Sequence, residues 1–271
     1  MSSTRPKSSR VRLDQLLVDR GLVESRTRAQ ALVLAGKVRV GTGDAARLDR
    51  KPGDLLASST PLAVDQPEPY VSRGGHKLVA ALDAFAIDPT GRICLDVGAS
   101  TGGFTDVLLQ RGATRVYALD VGRAQLSERL RHDPRVVSME RTNARTLTAG
   151  SLPEPVSLIT IDVSFIALRL VLAPAAATAG PGGADIVALV KPQFEAGRAL
   201  VPGGVVRDPA VHHGVLSDVA AAARGLGLAP VDAIASPILG GDGNREFLLH
   251  LLTADGAPVD LEPRFAELTG T

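Results

Sequence analysis

The sequence predicts an α/β protein: a Rossmann-like body on a mostly parallel, doubly wound sheet, preceded by a small α/β domain. Three observations carry this. Short apolar runs alternate with helix-periodic stretches from about residue 92 to residue 252, as strands separated by crossover helices do. One run, ending C-L-D-V, opens into the glycine-rich turn G-A-S-T-G-G-F and then a helix; the next run ends in Asp120. Charge divides the chain: residues 1–60 hold 12 Lys+Arg against 6 Asp+Glu, net +6, and the remainder holds 18 against 23, net −5. A basic start on a slightly acidic body concentrates any polyanion contact at one end.

The elements follow in order. Residues 1–9 read as a disordered tail. From Val11 the pattern is helical, with Leu13, Leu16 and Leu17 on one face and Gly21 as the stop. Ser25 caps a second helix that turns Ala29, Leu32 and Val33 inward and ends at Gly36. K-V-R-V-G is then a short strand and turn. Arg10, Arg12, Arg20, Arg26, Arg28, Lys37 and Arg39 are interleaved with these apolar positions, a pattern suited to a phosphate backbone. Prolines among Ser, Thr and Ala mark a linker. The expected division is therefore a domain over residues 10–60, a linker over 61–72 and a body over 73–271. Gly74-Gly75 breaks the chain, and Lys77 opens an amphipathic helix with Leu78, Leu82 and Phe85.

In the body, strands are expected at Ile93–Val97, Val116–Leu119, Val136–Met139, Leu158–Ile161, Ile186–Val190 and Phe247–Leu252. Helices are expected around 104–111, 123–131, 165–179 and 209–226. Cys94, the single cysteine, falls in a strand and reads as a small core residue, so disulfides are excluded and a reducing cytoplasm fits. No run approaches about 18 uninterrupted apolar residues, and M-S-S-T-R-P-K-S-S-R lacks the apolar core of a secretory signal. His212-His213 reads as a surface pair on a helix, and no cluster of metal ligands is evident.

The glycine-rich turn is not G-x-G-x-x-G. Asp96 stands at the strand end, two residues before Gly98. A dinucleotide turn brings a helix N-terminus onto a pyrophosphate, and a carboxylate at the strand tip suits that anion poorly. It suits a nucleoside cofactor with a cationic amino-acid end, which favours S-adenosylmethionine over NAD. Gly98, Gly102 and Gly103 let backbone approach the ligand, with Ser100 and Phe104 in the same turn. Asp120 is placed to accept from ribose hydroxyls, and Asn143 to reach the adenine edge. Later strands end in Asp162 and Lys191, and Glu246 enters the last one, so these groups converge on the edge where doubly wound sheets bind ligands.

Two resemblances extend this reading. R-L-D-Q-L-L-V-D-R-G-L-V-E-S-R-T-R-A-Q-A-L-V-L-A-G-K-V-R-V is similar to the S4-type RNA-binding domain, whose basic helical face contacts structured RNA. S-R-G-G-H-K-L, D-V-G-A-S-T-G-G-F-T-D, I-D-V-S-F, V-K-P-Q-F-E and G-N-R-E-F, from Arg10 onward in order with the S4-like segment, together resemble the TlyA family, whose catalytic body is FtsJ-like. That resemblance implies a class I methyltransferase fold and a Lys-Asp-Lys-Glu tetrad falling on Lys77, Asp162, Lys191 and Glu246. It further implies S-adenosylmethionine as cofactor and methylation of cytidine ribose in 16S and 23S ribosomal RNA. The partners would then be the 30S and 50S subunits, with a link to susceptibility to capreomycin-type antibiotics.

The tetrad makes chemical sense. A ribose 2′-hydroxyl is a weak acid and a poor nucleophile. Lys191 serves as its base if burial and a neighbouring Lys77 disfavour the ammonium, with Asp162 and Glu246 fixing its direction. Alternatively Lys191 stays charged and stabilises the developing alkoxide. Two other classes stand beside the enzyme: an RNA-binding assembly factor with a vestigial methyltransferase fold, and a membrane-active toxin, which the absence of a span or long basic amphipathic helix disfavours.

Overall fold

The computed structural model describes residues 10–43, 46–65, 68–253 and 259–271. The tail expected to be disordered, residues 1–9, lies outside the described residues. The chain divides into two compact units, with the boundary between Glu68 and Pro69.

The first unit runs β1 (Arg10–Arg12), α1 (Leu13–Asp19), α2 (Arg26–Leu34), β2 (Val38–Val40), β3 (Leu55–Ala57) and β4 (Leu62–Val64). β1 pairs antiparallel with β3, and β2 with β4. Leu13, Leu16, Leu17, Ala29, Val33, Val38, Val40 and Leu56 form its core. Ser25 caps α2 through a bond from Arg28 N at 3.3 Å, as its residue type dictates. Two expectations need correction. Val11 lies in a strand rather than opening a helix. Residues 62–64, expected within a linker, pair with β2, because L-A-V supplies the strand that β2 otherwise lacks.

The second unit carries α3 (Gly74–Ala84), β5 (Ile93–Val97), α4 (Gly103–Gln110), β6 (Arg115–Leu119), α5 (Glu128–Arg131), β7 (Val136–Met139), β8 (Leu158–Ile161), α6 (Leu172–Ala176), β9 (Asp185–Val190), α7 (Pro192–Glu195), α8 (Pro209–Gly225), β10 (Ala229–Ala235), β11 (Phe247–Leu252) and α9 (Glu262–Thr269). Its seven-stranded sheet has the order β10-β11-β9-β8-β5-β6-β7. β9, β8, β5, β6 and β7 are mutually parallel, and β11 runs antiparallel between β9 and β10. Strand order reverses between β5 and β8, and at such a point an open parallel sheet leaves a crevice at its carboxyl edge.

Alternation along each strand supplies both faces of the sheet. Leu95, Val97, Ile159, Ile161, Ala188 and Val190 face the core shared with α6, α8 and α9. Cys94, Val116, Leu158, Val187 and Leu189 face the opposite core with α3 and α4. Cys94 is fully buried, and burial pushes its thiol up to about 12, so it packs as a small hydrophobe.

The helix expected over 123–131 shrinks to α5, and that over 165–179 to a 3-10 turn at Leu168–Leu170 followed by α6. His212 also departs from expectation. It is 2% exposed, with its ring 5.6 Å from that of Phe247, and burial lowers its pKa. Only His213 is the surface partner, bonding Glu262 and Thr271.

Candidate active site

The site begins with the turn after β5. Gly98 N and Ala99 N both donate to Leu119 O, at 2.8 and 3.0 Å, which binds the turn to the tip of β6. Gly98 has φ +83°, and a Cβ there would run into the carbonyl of Asp162, so the close approach of β5 and β8 tips requires glycine. Gly102 has φ +95° and caps α4, but what approaches it is protein: a Cβ would meet Leu126 and Leu130. A Cβ on Gly103 would strike the Ser72 hydroxyl. Both glycines thus admit neighbouring chain, and Gly103 also borders open space at the site.

Two cavities open from this turn and share Gly98, Ser100 and Asp162. The first, about 330 Å³, lies over the tips of β5, β6 and β8 and is lined by Asp120, Asn143 and the apolar side chains of Val121, Val163 and Ile166. An apolar slot with an acid at one end suits a nucleoside. Both Asp120 carboxylate oxygens already hold the turn, accepting from Ser100 N at 2.8 Å and Gly122 N at 2.7 Å. That fixes the carboxylate and leaves lone pairs for further donors. Asn143 lines the same cavity, and its side-chain oxygen caps the next turn by accepting from Arg145 N at 3.0 Å. The second cavity, about 260 Å³ and more polar, is lined by Lys77, Arg73, Gly103, Phe104 and the loop Ile238–Gly241.

Asp96 lines neither cavity. It is fully buried, accepting from Thr105 Oγ1 at 2.6 Å and Thr160 Oγ1 at 3.0 Å, so it ties α4 to β8. Burial pushes its carboxyl up to about 6 against the pull of the two hydroxyls.

The four tetrad positions resolve into two ion pairs. Lys77 Nζ lies 2.5 Å from Glu246 Oε2, both groups nearly buried. Lys191 Nζ lies 2.5 Å from Asp162 Oδ1. The expectation from sequence sets both acids around Lys191; in the structure Glu246 serves Lys77 instead. The tips of β8 and β9 deliver Asp162 and Lys191, α3 delivers Lys77, and the turn into β11 delivers Glu246.

Two contributors are not evident in the sequence. Ser164 accepts a hydrogen bond from Lys191 Nζ at 2.8 Å and lines the nucleoside-shaped cavity; its only signal in sequence is its place two residues past Asp162. Gly240 stands where a Cβ would overlap the Glu246 carboxylate. The loop carrying it is tied down by buried Asn244, whose side chain bonds Gly204 O, Gly241 O and Val206 N. Glu195 joins the loops after β8 and β9 by accepting from Leu168 N at 2.8 Å, and burial raises its pKa.

In the first unit the seven basic residues divide. Asp14, fully buried, accepts from Arg12 at 3.0 and 2.9 Å, from Arg26 at 3.2 Å and from Gln30 at 2.9 Å. The hydrogen bonds from Arg12 hold its carboxyl well below the usual carboxylate range. Arg20 donates to the carbonyls of Ser58 and Thr60, and Arg39 pairs with Asp65 at 3.0 Å. Arg10, Arg28 and Lys37 are exposed and enter none of the ion pairs found among the described residues.

Among the described residues no group of three or more His, Cys, Asp or Glu is placed to hold a metal, and no helix is long and apolar enough to cross a membrane.

The FtsJ-like methyltransferase family model matches residues 70–252, and the S4 domain model matches residues 11–42. The chain is 51% identical over 247 residues to the 16S/23S rRNA (cytidine-2'-O)-methyltransferase TlyA of Mycobacterium tuberculosis, covering 90% of each. It is 41% identical over 244 residues to Hemolysin A of Brachyspira hyodysenteriae, covering 89% of this chain and all of that one. A solved structure from Streptococcus thermophilus superposes with a TM-score of 0.74 at 43% identity, covering 97% of this chain and 96% of that one.

Proposed function

The chain belongs to the TlyA family of FtsJ-like methyltransferases, and from that premise we propose that it methylates the 2′-hydroxyl of cytidine ribose in 16S and 23S ribosomal RNA, using S-adenosylmethionine. The observation that carries the proposal is the placing of two lysine–carboxylate pairs at adjoining cavities of one sheet edge, Asp162 lining both cavities and Lys77 the more polar one. Its setting is the cytoplasm, where ribosomal subunits are available as substrate.

The residues present fit the cofactor. The cavity between the tips of β5 and β6 would hold its adenosine, with Asp120 toward the ribose and Asn143 toward the base, and the turn from Gly98 to Phe104 would border its amino-acid end. When bound, the cofactor supplies an electrophilic sulfonium methyl group. The protein's own task is to hold the ribose in line and manage the hydroxyl proton.

Lys191 is placed to act on that hydroxyl in one of two ways: as an ammonium it would stabilise the developing alkoxide while the proton leaves to solvent water, and as a neutral amine it would accept the proton itself. Lys77, neutralised by Glu246, forms the wall of the polar cavity and keeps a second buried charge from standing unpaired. Asp96 positions the cofactor turn through Thr105 and Thr160. The first unit would dock on folded RNA through Arg10, Arg12, Arg20, Arg26, Arg28, Lys37 and Arg39, the exposed and unpaired members contacting phosphate most freely.

The test is transfer of labelled methyl groups to 30S and 50S subunits from a strain lacking the enzyme, with the modified positions mapped. Lys191→Ala is expected to lower transfer at least about a hundredfold while cofactor affinity, measured calorimetrically, stays within about threefold. Undiminished turnover would remove Lys191 from the mechanism, and absence of transfer by the wild type to either subunit would overturn the reading.

A further inference from the structure

We propose that Ser164 is a positioning residue that sets the direction of the Lys191 ammonium; the proposal rests on the reaction just described. An ammonium is a three-donor rotor on a flexible stem. Charge alone attracts it without fixing which way its N–H bonds point. The two neighbours of Lys191 Nζ differ in this respect. Asp162 Oδ1 is only 2.5 Å away, yet it satisfies no hydrogen-bond geometry, so its pull is coulombic. Ser164 Oγ, at 2.8 Å, meets the angular requirement of a hydrogen bond. Ser164 is therefore the contact that locks the rotor.

The location of Ser164 gives the lock a purpose. It lines the same cavity as Asp120 and Asn143, so it sits between the slot for the nucleoside and the lysine. With one N–H committed to Ser164 and the ammonium drawn toward Asp162, the directions of the two remaining N–H donors are defined before RNA arrives. A pre-aimed donor needs no reorganisation as charge develops on the ribose oxygen. As the acceptor in this bond, Ser164 does not spend its own O–H on Lys191. The loop holding it is braced at its far end, where Glu195 accepts from Leu168 N.

The experiment uses the full chain with unmodified ribosomal subunits and compares four proteins: wild type, Ser164→Ala, Ser164→Thr and Ser164→Val. Thr restores a hydroxyl, and Val matches its bulk without one. Ser164→Ala and Ser164→Val are expected to lose about tenfold to a hundredfold in kcat, with the KM for cofactor and for RNA within about twofold of wild type. Ser164→Thr is expected to recover most of kcat. Ser164 is exposed, so none of the substitutions threatens the fold. A Ser164→Ala kcat equal to wild type, a loss confined to KM, or Val performing as well as Thr would overturn the assignment while leaving the methyl-transfer reading intact. A silent wild type would overturn both.

Discussion

Two side chains show how narrowly the site is set. Gly240 carries no Cβ, and that is what allows the Glu246 carboxylate to reach Lys77. Gly240→Ala is expected to push Glu246 off its partner, leaving a buried ammonium exposed to the full penalty of an unpaired charge, about 3–5 kcal/mol if nothing relaxes. Single-turnover methyl transfer should fall about tenfold or more with cofactor affinity little altered, and a wild-type rate would separate the Lys77–Glu246 pair from catalysis. Asp96 makes the opposite case, a charge retained against stability. Its folded carboxyl titrates at about 6, above the roughly 3.9 of an unfolded aspartate. Below about pH 4 both states are protonated and the group is neutral to stability. Between about 4 and 6 only the folded state keeps the proton, so stability falls as pH rises, and above about 6 the penalty is constant at no more than about 3 kcal/mol. Asp96→Asn should therefore unfold at higher temperature than wild type at about pH 8, with the gap closing toward about pH 4. Thermal melts across that range check it: an equal gap at both ends would mean that the carboxylate's charge is not the cause.

Among elements, the legible ones were those whose own residues specify them. β5, β8 and β11 are runs buried on both faces, and their boundaries Ile93–Val97, Leu158–Ile161 and Phe247–Leu252 agree with the sequence expectation. α8 was expected over 209–226 and spans Pro209–Gly225, with Asp208 as its cap and Pro209 at its first turn. What escaped depends on partners distant in sequence. β10 holds a proline at a register shift and pairs only with β11, which an edge strand tolerates but a sequence pattern argues against. β1, β3 and β4 are three residues each, too short to show a period, and exist because their pairings bury one shared core. The site divides in the same way. Asp162, Lys191, Glu246 and Asp120 stand at strand ends and were visible there, and Lys77 stands in the first turns of α3. Which acid serves which lysine was not, because that pairing is set by how α3 and the turn before β11 pack. Gly102 shows a similar limit: a sequence shows that a Cβ is absent, not whether ligand or protein fills the space. His212 misleads because its helix face is covered by Phe247, from a strand distant in sequence.

At the scale of the whole molecule, charge and chemistry are assigned to different units. The basic excess lies in residues 1–60, and both lysine–carboxylate pairs lie beyond Glu68. Such a division predicts that affinity for RNA and affinity for cofactor can be altered separately. The informative positions are those without a structural duty of their own. Arg20 is committed to the carbonyls of Ser58 and Thr60, and Arg12 and Arg26 are anchored on buried Asp14, so substituting them perturbs the fold and the RNA-facing surface together. Arg28 and Lys37 are exposed and enter none of the ion pairs among the described residues of the first unit. The double variant Arg28→Gln, Lys37→Gln should keep the fold and bind cofactor as the wild type does. Its affinity for ribosomal RNA should fall, and the slope of log K against log salt should flatten by roughly one to two, because each phosphate that the protein no longer neutralises keeps about one condensed counterion. Filter binding at several salt concentrations reads that slope directly. An unchanged slope would place the RNA interface elsewhere than this pair, whereas a weakened cofactor affinity in the same protein would show that the two units do not act independently.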